Sequence, residues 1–269
     1  MISVLMSIYK NEDPAWFLKA FASITDEQSR IPDEVVLVCD GPLTEELDRA
    51  VEDCGRKFAS LKVVRLAENR QLGLALREGV KNCSGELIAR MDTDDIAVPE
   101  RLEKQERFML DQPEISACGG EIAEFENEGE IIRVKHMPHE CDEVRKYAKV
   151  RNPLNHMTVM FRKDAVLDAG NYQHFPLLED YHLWSRMMSR GQKIANMDMI
   201  LVNARIGTSF AAKRGGREYF ERYKNLRRLQ KEWGFLNDRE YRKSLLLTFA
   251  MTRQPDKARA AAYRVLRKK

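Results

Sequence analysis

Apolar residues recur along this chain in two rhythms that take turns. Ile2 to Ile8 is a short apolar run with β-branched members and predicts a strand, and Trp16 to Ile24 has helical spacing. Glu34 to Cys39, with Val-Val-Leu-Val at its centre, predicts a buried strand ending at the turn Asp40-Gly41-Pro42. Thr44 to Phe58 predicts a helix, with Thr44 as N-cap and Glu45 and Glu46 favourably placed in its first turn. The alternation continues through Leu61 to Leu66 (strand), Leu72 to Asn82 (helix, stopped by Ser84-Gly85) and Glu86 to Met91 (strand). Strands alternating with helices predict a mostly parallel sheet with helices on both faces, and ligands at the carboxyl ends of its strands. Two acidic turns, after Cys39 and after Met91, fall at such ends.

The second half is less regular. Arg101 to Leu110 predicts a helix that runs out before Pro113. Ile115 to Phe125 and Ile131 to Val134 predict antiparallel strands around the turn Asn127-Glu128-Gly129. Met157 to Phe161 predicts a strand, Lys163 to Ala169 a short helix, Tyr181 to Ser189 a helix ended by Gly191, and Ile194 to Ile206 a segment that is largely strand. From Gly216 onward the spacing is helical, over about 217–233, 239–252 and 256–267, with breaks at Gly234 and Pro255. The expected division is an α/β domain over 1–212 and a helical appendage over 213–269. No internal repeat or low-complexity linker interrupts it.

Composition narrows the class. With 269 residues, 43% of them apolar, the chain can bury one sizeable α/β core with a small addition, and 32% charged residues predict solubility. The five cysteines (Cys39, Cys54, Cys83, Cys118, Cys141) form no CxxC pair, and they read as reduced thiols of a cytoplasmic protein. The first residues lack the basic region and cleavage site of a signal peptide, and apolar stretches such as Leu245 to Met251 fall far short of the ~20 residues a membrane span needs. Charge is uneven. Residues 213–269 hold 18 Lys/Arg and 6 Asp/Glu, a balance of +12, against −9 in the rest of the chain. Tyr219, Tyr223, Leu226 and Trp233 fall near one helical stripe, with Arg222, Arg227, Arg228 and Lys231 around them. Such a helix lies in the headgroup region of an anionic membrane, or packs its stripe back on the main domain with the charges solvating it; both readings stay open.

Asp92-Thr93-Asp94-Asp95 is the strongest chemical candidate. Three carboxylates within four residues repel one another after an apolar strand, and a hard divalent cation with oxygen ligands accounts for all of them. An acidic turn plus an N-cap for the helix near Pro99 accounts for some. Asp40 ends a buried strand, as a turn aspartate or as an acceptor for a base N–H or ribose hydroxyl. Glu179-Asp180 opens a helix after Phe175-Pro176-Leu177-Leu178, either complementing the helix dipole or supplying a general base. His156 precedes a predicted strand, and no second histidine stands at metal-ligand spacing to it, so no zinc site is expected. No Gly-x-Ser-x-Gly element and no phosphate-cradling Gly-rich loop is present.

Taken together, these segments resemble a family 2 glycosyltransferase of the GT-A fold, of the bacterial exopolysaccharide and lipopolysaccharide type that includes amylovoran-biosynthesis enzymes. The matching pieces are Ser3 to Tyr9, Pro32 to Val38 with Asp40-Gly41-Pro42-Leu43, Asn69 with Leu72-Gly73, and Gly85 to Asp95. They continue with Pro99-Glu100-Arg101, Gln105, Asn152-Pro153 with His156 and Thr158, and Glu179-Asp180-Tyr181 with Leu183-Trp184. The likeness covers about 1–210. It implies a Rossmann-like nucleotide-binding sheet and an enzyme that moves a sugar, with inversion, from a nucleotide-sugar, usually a UDP-sugar, to a glycan or lipid-linked glycan in surface polysaccharide synthesis.

The resemblance also implies roles. Tyr9, Asn11 and Glu12 correspond to the base pocket, Asp40 to the aspartate that reads the base, and Arg70 to the loop approaching the nucleotide. Asp92 and Asp94 match the DxD element, Asp92 near the ribose and Asp94 on a Mn²⁺ or Mg²⁺ ion, with Asp95 a further contact. Asp180 matches the general base, with Glu179, His156 and His182 on the acceptor side. Gln71 stands where relatives often have Gly, Arg77 where they often have Asn, and His182 where an acidic residue is frequent. A sugar-phosphate nucleotidyltransferase is the competing enzyme class, but it calls for a basic Gly-rich loop where Tyr9-Lys10-Asn11-Glu12-Asp13-Pro14 stands. A non-catalytic nucleotide-sugar or glycan-binding scaffold is the non-enzymatic alternative. Nucleic acid is not an expected partner, because aromatic residues are not interleaved with the basic ones.

Overall fold

The computed structural model describes residues 1–206 and 216–252. Its first half follows the alternation: β1 (Ile2–Ile8), α1 (Pro14–Ile24), β2 (Glu34–Cys39), α2 (Glu45–Lys57), β3 (Leu61–Arg65), α3 (Leu72–Asn82) and β4 (Leu87–Arg90). β1 runs parallel to β2 and β4, and β2 parallel to β3. β2 shows why its sequence is apolar throughout. Val35, Leu37 and Cys39 enter one core with Phe17, Phe21, Leu47 and Val51, while Val36 and Val38 enter the other with Leu76, Val80 and Trp184. Each such buried side chain stabilises the fold by roughly 1.5–3 kcal/mol. Local signals set the helix starts. The Asp13 side chain accepts from Ala15 N at 2.8 Å and Trp16 N at 3.1 Å ahead of Pro14, and Thr44 accepts from Leu47 N at 3.3 Å.

The second half supplies β5 (Ile96–Ala97), α4 (Arg101–Asp111), β6 (Ile115–Phe125), β7 (Ile131–Lys135), α5 (Cys141–Ala148), β8 (Met160–Arg162), α6 (Lys163–Asp168), α7 (Glu179–Ser189) and β9 (Lys193–Arg205). The sheet runs β3-β2-β1-β4-β8-β6-β9-β5, with β7 paired to β6 as an antiparallel hairpin. The parallel order ends at β4, because β8 pairs with it antiparallel. The carboxyl end of β4 therefore lies where the parallel half of the sheet gives way to the mixed half.

Three local readings need correction. His156–Thr158 is a 3₁₀ turn, and only Met160–Arg162 of that stretch is strand. Thr158 is turned inward there, with its Oγ1 accepting from Gly120 N at 3.1 Å and donating to Asn155 O at 2.8 Å. α7 opens at Glu179, so both acidic residues lie in its first turn. The helix after Pro99 begins with Glu100 at its N-cap position and no side-chain cap, so the acidic turn does not cap it. β5 and α5 escaped the sequence patterns. β5 exists through its pairing with β9, and α5 buries only Val144 and Ala148.

α8 (Gly216–Glu232) and α9 (Asp238–Thr252) form the C-terminal helices. The stripe on α8 packs back on the main domain: Leu226 and Tyr223 join Leu178 and Tyr181 in one apolar cluster, and Tyr219 is buried. Arg227, part of the presumed basic face, is fully buried. It donates to Tyr181 Oη at 2.7 Å, Val150 O at 2.6 Å and Gln230 Oε1 at 2.7 Å, and Gln230 donates to Ser185 Oγ at 2.6 Å. The expected boundary at 212/213 and the helix expected over 256–267 lie outside the described residues.

His182 is buried at the junction of α7 and α8. Its ring stacks on Phe175 at 4.4 Å and meets Trp233 edge-on at 5.4 Å. Burial, aided by the Arg186 charge, pushes the imidazole down to about 3. It stays neutral in the folded chain but takes a proton in the unfolded chain below about pH 6.5. Its contribution to stability is therefore complete above that pH and is lost as pH falls toward 3. His182→Phe keeps the stack and removes the titration. Denaturant unfolding at pH 7 and pH 4.5 is expected to show a smaller loss of stability in His182→Phe than in the wild type, and equal losses would mean that the imidazole is not held neutral.

Candidate active site

The carboxyl ends of β1, β2 and β4 lie side by side at one edge of the sheet. After β1 the chain turns back through the Glu12 N to Tyr9 O hydrogen bond (3.1 Å), leaving Tyr9 half-buried and Asn11 exposed. The turn carries the Glu12 carboxylate toward the end of β4, where Thr93 hydrogen-bonds it. After β2, Asp40 is buried, and its Oδ1 accepts from Arg70 N at 2.7 Å while its carbonyl accepts from Asn69 Nδ2 at 3.2 Å. Burial raises the Asp40 carboxyl, and the Arg70 and Gln71 N–H groups oppose the rise. Gly41 is required there: its φ is +89°, and a Cβ would sit 2.7 Å from Asn69 N. Gln71 has φ +70°, the backbone state glycine takes without strain, which is the physical content of the departure at that position. The Arg70 side chain is exposed beside it.

The end of β4 holds most of the charge. Arg90 is fully buried and forms an ion pair with Asp92, while Arg101, also buried, donates to the Arg90 carbonyl at 2.6 Å. Asp95 lies behind the turn, with its Oδ1 accepting from Arg205 N at 2.8 Å, and Arg205 Nε donates to Asp94 O at 3.1 Å. The arginine plane is held over Trp16 and Phe125. Burial, then repulsion from Asp92, pushes Asp94 up to about 6. Burial, then Asp94 and Asp92, pushes Glu12 up to about 7. Asp95 is raised well above the carboxylate range by burial and the same neighbours. The group is thus short of positive charge, and its oxygen donors suit a hard divalent cation, with Asp94 and Asp92 as the residues that would hold it.

The first turn of α7 faces this group. Asn152 Nδ2 donates to Asp180 Oδ2 at 2.5 Å, and Asp180 Oδ1 accepts from Tyr181 N. Glu179 is pushed up to about 7, by burial first and by Asp180 second, and Asp92 adds to the rise while Arg90 reduces it. Glu179 and Asp92 therefore lie within each other's field. Gly73 permits the approach: a Cβ there would lie 2.5 Å from Gln173 O and 3.1 Å from Glu179 Cβ. His156 Nε2 lies 2.9 Å from Tyr172 Oη, its ring against Tyr172 and Trp184. Burial, with the nearby Arg90 charge, holds that imidazole far below its usual range, so it is neutral. His156 and His182 are both held in aromatic packing.

Sequence reasoning did not assign roles to Arg90, Asn152, Tyr172 or Arg205. Arg90 left a readable signal, a charge inside an otherwise apolar strand directly before the acidic turn. Asn152 stands in the Asn152-Pro153 piece of the family likeness, but its contact with Asp180, 28 positions later, leaves no trace in local spacing.

A parallel sheet meeting an antiparallel half at an acidic turn, with an acidic helix start nearby, is the arrangement of the GT-A fold. Residues 3–171 match the family model for glycosyl transferase family 2, and the chain belongs to that family. It is 40% identical over 244 residues to the amylovoran biosynthesis glycosyltransferase AmsE of Erwinia amylovora, across 90% of this chain and 91% of that one. It is 34% identical over 218 residues to the Escherichia coli UDP-Gal:alpha-D-GlcNAc-diphosphoundecaprenol beta-1,3-galactosyltransferase, across 81% and 78%. Among solved structures, the mannosyltransferase PcManGT from Pyrobaculum calidifontis, in complex with GDP-Man and Mn²⁺, superposes with a TM-score of 0.62 at 15% identity, across 98% of this chain and 79% of that one.

Proposed function

We propose that the chain is a metal-dependent, inverting glycosyltransferase that takes its sugar from a UDP-sugar and gives it to a lipid-linked glycan, with residues 1–212 as its catalytic unit. The observation that carries the reading is the buried acidic pair at the start of α7, with Asn152 bonded to Asp180, together with the acidic turn after β4 that Arg90 steadies through Asp92. The relatives support the substrate class: one is named for amylovoran biosynthesis, another for a UDP-Gal donor and a diphosphoundecaprenol-linked acceptor. The Mn²⁺ complex of the similar mannosyltransferase supports the cation.

In this reading Tyr9, Asn11, Asp40 and Arg70 bind the nucleoside, and Asp92, steadied by Arg90, lies between the ribose and the metal site. Asp94 and Asp92 hold Mn²⁺ or Mg²⁺, with Glu12 beside them and Asp95 bracing the turn through Arg205. The ion, when bound, offsets the charge that develops on the leaving diphosphate. Asp180 takes the proton of the acceptor hydroxyl, whose oxygen attacks the anomeric carbon from the face opposite the diphosphate. The new C–O bond forms as the old one breaks, so the configuration inverts. Asn152 orients Asp180, Glu179 shares the acceptor side, and His156 and His182 act through packing.

The C-terminal helices offer a peripheral membrane contact by a different face than α8's stripe. α9 buries Ser244, Thr248 and Thr252 and turns Leu246 (69% exposed), Leu247 and Phe249 outward, beside exposed Arg239, Arg242 and Lys243. A helix with polar residues inward and a basic-flanked apolar face outward suits an anionic leaflet. No helix among the described residues is long and apolar enough to cross one.

Calorimetry with UDP tests the donor site: wild type is expected to bind UDP more tightly with Mn²⁺ than without, and Asp94→Ala to lose that gain. Equal affinity in all four titrations overturns the metal role. Asp180→Asn is expected to keep UDP binding and lose roughly 10²–10⁴-fold in transfer to a confirmed acceptor. Transfer near the wild-type rate would reduce Asp180 to a helix-terminal charge. In flotation at low salt, the protein is expected to rise with phosphatidylglycerol vesicles and not with neutral ones, and Leu246→Glu to weaken the association. Equal flotation with both vesicle types excludes the membrane contact.

A further inference from the structure

A second group of metal-ligating side chains lies away from the acidic turn, on the mixed half of the sheet. Glu121 is a buried carboxylate within β6, only 5% exposed. His136 and His139 stand three residues apart, just beyond β7, and Asp198 lies in β9. The backbone is shaped to gather them. Gly120 pairs with Met197 but Glu121 pairs with Ile200, so Asp198 and Met199 are extra residues that bulge from β9. Position 120 is closely packed: a Cβ there would lie 2.5 Å from Leu201 Cδ1 and 3.0 Å from Met199 O. Asn196 secures the segment that carries His139: its N–H donates to His139 O at 3.0 Å and its Nδ2 to Pro138 O at 2.7 Å.

We propose that Glu121, His139 and Asp198 bind a divalent transition-metal ion of the zinc type, separate from the donor-site cation. Their ligand atoms all lie within 4.8 Å of one another. His139 Nε2 is 3.4 Å from Glu121 Oε1 and 3.6 Å from Asp198 Oδ1. Ligands about 2.0–2.1 Å from a tetrahedral ion stand ~3.3 Å apart, close to both separations. His139 Nε2 is shielded from solvent and makes no hydrogen bond, which is costly for a ring nitrogen unless something else engages it. His136 Nδ1 lies 2.8 Å from Glu121 Oε1 and supplies the outer hydrogen bond that orients a ligating carboxylate. One imidazole with two carboxylates favours zinc or a neighbouring ion over magnesium, and three protein ligands leave a position for water. The ion would pin the β9 bulge to β6 and to the β7–α5 connection. From there Asn196 Nδ2 also reaches Pro153 O at 3.1 Å, beside Asn152.

The test uses the full chain stripped of metal by a chelator and titrated with Zn²⁺ in the absence of nucleotide. Asp94→Ala removes the donor-site cation and serves as the background. That variant is expected to bind one equivalent of Zn²⁺, and Co²⁺ to give the visible bands of a tetrahedral site. Adding His136→Ala is expected to weaken Zn²⁺ about ten-fold, and adding His139→Ala or Asp198→Asn to weaken it by more. Asp198 is 82% exposed, so its substitution leaves the core packing untouched and keeps the comparison on binding. Unchanged Zn²⁺ affinity in both ligand variants overturns the proposal, as does loss of all Zn²⁺ binding in Asp94→Ala alone.

Discussion

Like charges held out of water at the carboxyl end of β4 are the constraint on which the rest of the structure turns. Asp92, Asp94, Asp95 and Glu12 gather at one partly enclosed strand end, with the buried guanidinium of Arg90 paired to Asp92 and that of Arg101 behind it. Burial and mutual repulsion raise three of the four carboxyl groups, so the site is not self-neutralising. The fold supports it from behind: Arg101 holds the Arg90 carbonyl, and Arg205 ties Asp95 and the Asp94 backbone to the end of β9. Such an arrangement spends folding stability on a charge pattern ready for a cation and a diphosphate, a trade common at catalytic sites.

The placement of the opposing acidic pair depends on contacts distant in sequence. Gly73 lets α3 come against the start of α7, and Asn152 meets Asp180 from a loop on the mixed half. Arg227 then fastens both segments, because its guanidinium reaches Tyr181, next to Asp180, and Val150, two residues before Asn152. The C-terminal helix is therefore part of the frame around the proposed base. A buried guanidinium is tolerable in that place because three oxygen acceptors meet it.

Much of the fold was legible because its signals are local. Buried strands such as Glu34 to Cys39 are apolar on both faces, Thr44 is a cap followed by acidic residues, and Gly41 and Gly191 take the positive φ that ends their elements. The acidic turn and the acidic pair were legible as chemistry, since like charges beside apolar segments demand an explanation. What escaped was short or long-range. β5 has two residues and exists through its pairing with β9, the 3₁₀ turn at His156 depends on Thr158 reaching Gly120, and the His136, His139, Glu121 and Asp198 group is assembled by a bulge.

The sequence by itself determined the alternating architecture, the carboxylates available for chemistry and the family to which the chain belongs. These follow from side-chain periodicity, from turn chemistry and from an ordered set of short motifs, all of which are properties of neighbouring residues. Only the tertiary structure decided which face of α8 is buried, that His182 and Arg227 are interior, and that Glu179 lies in the field of Asp92. An amphipathic helix presents the same stripe to a lipid surface or to a protein core, and a charge has the same identity in water or in the interior. Which environment it meets depends on contacts made across the fold, and it is the environment that sets protonation, partner and role.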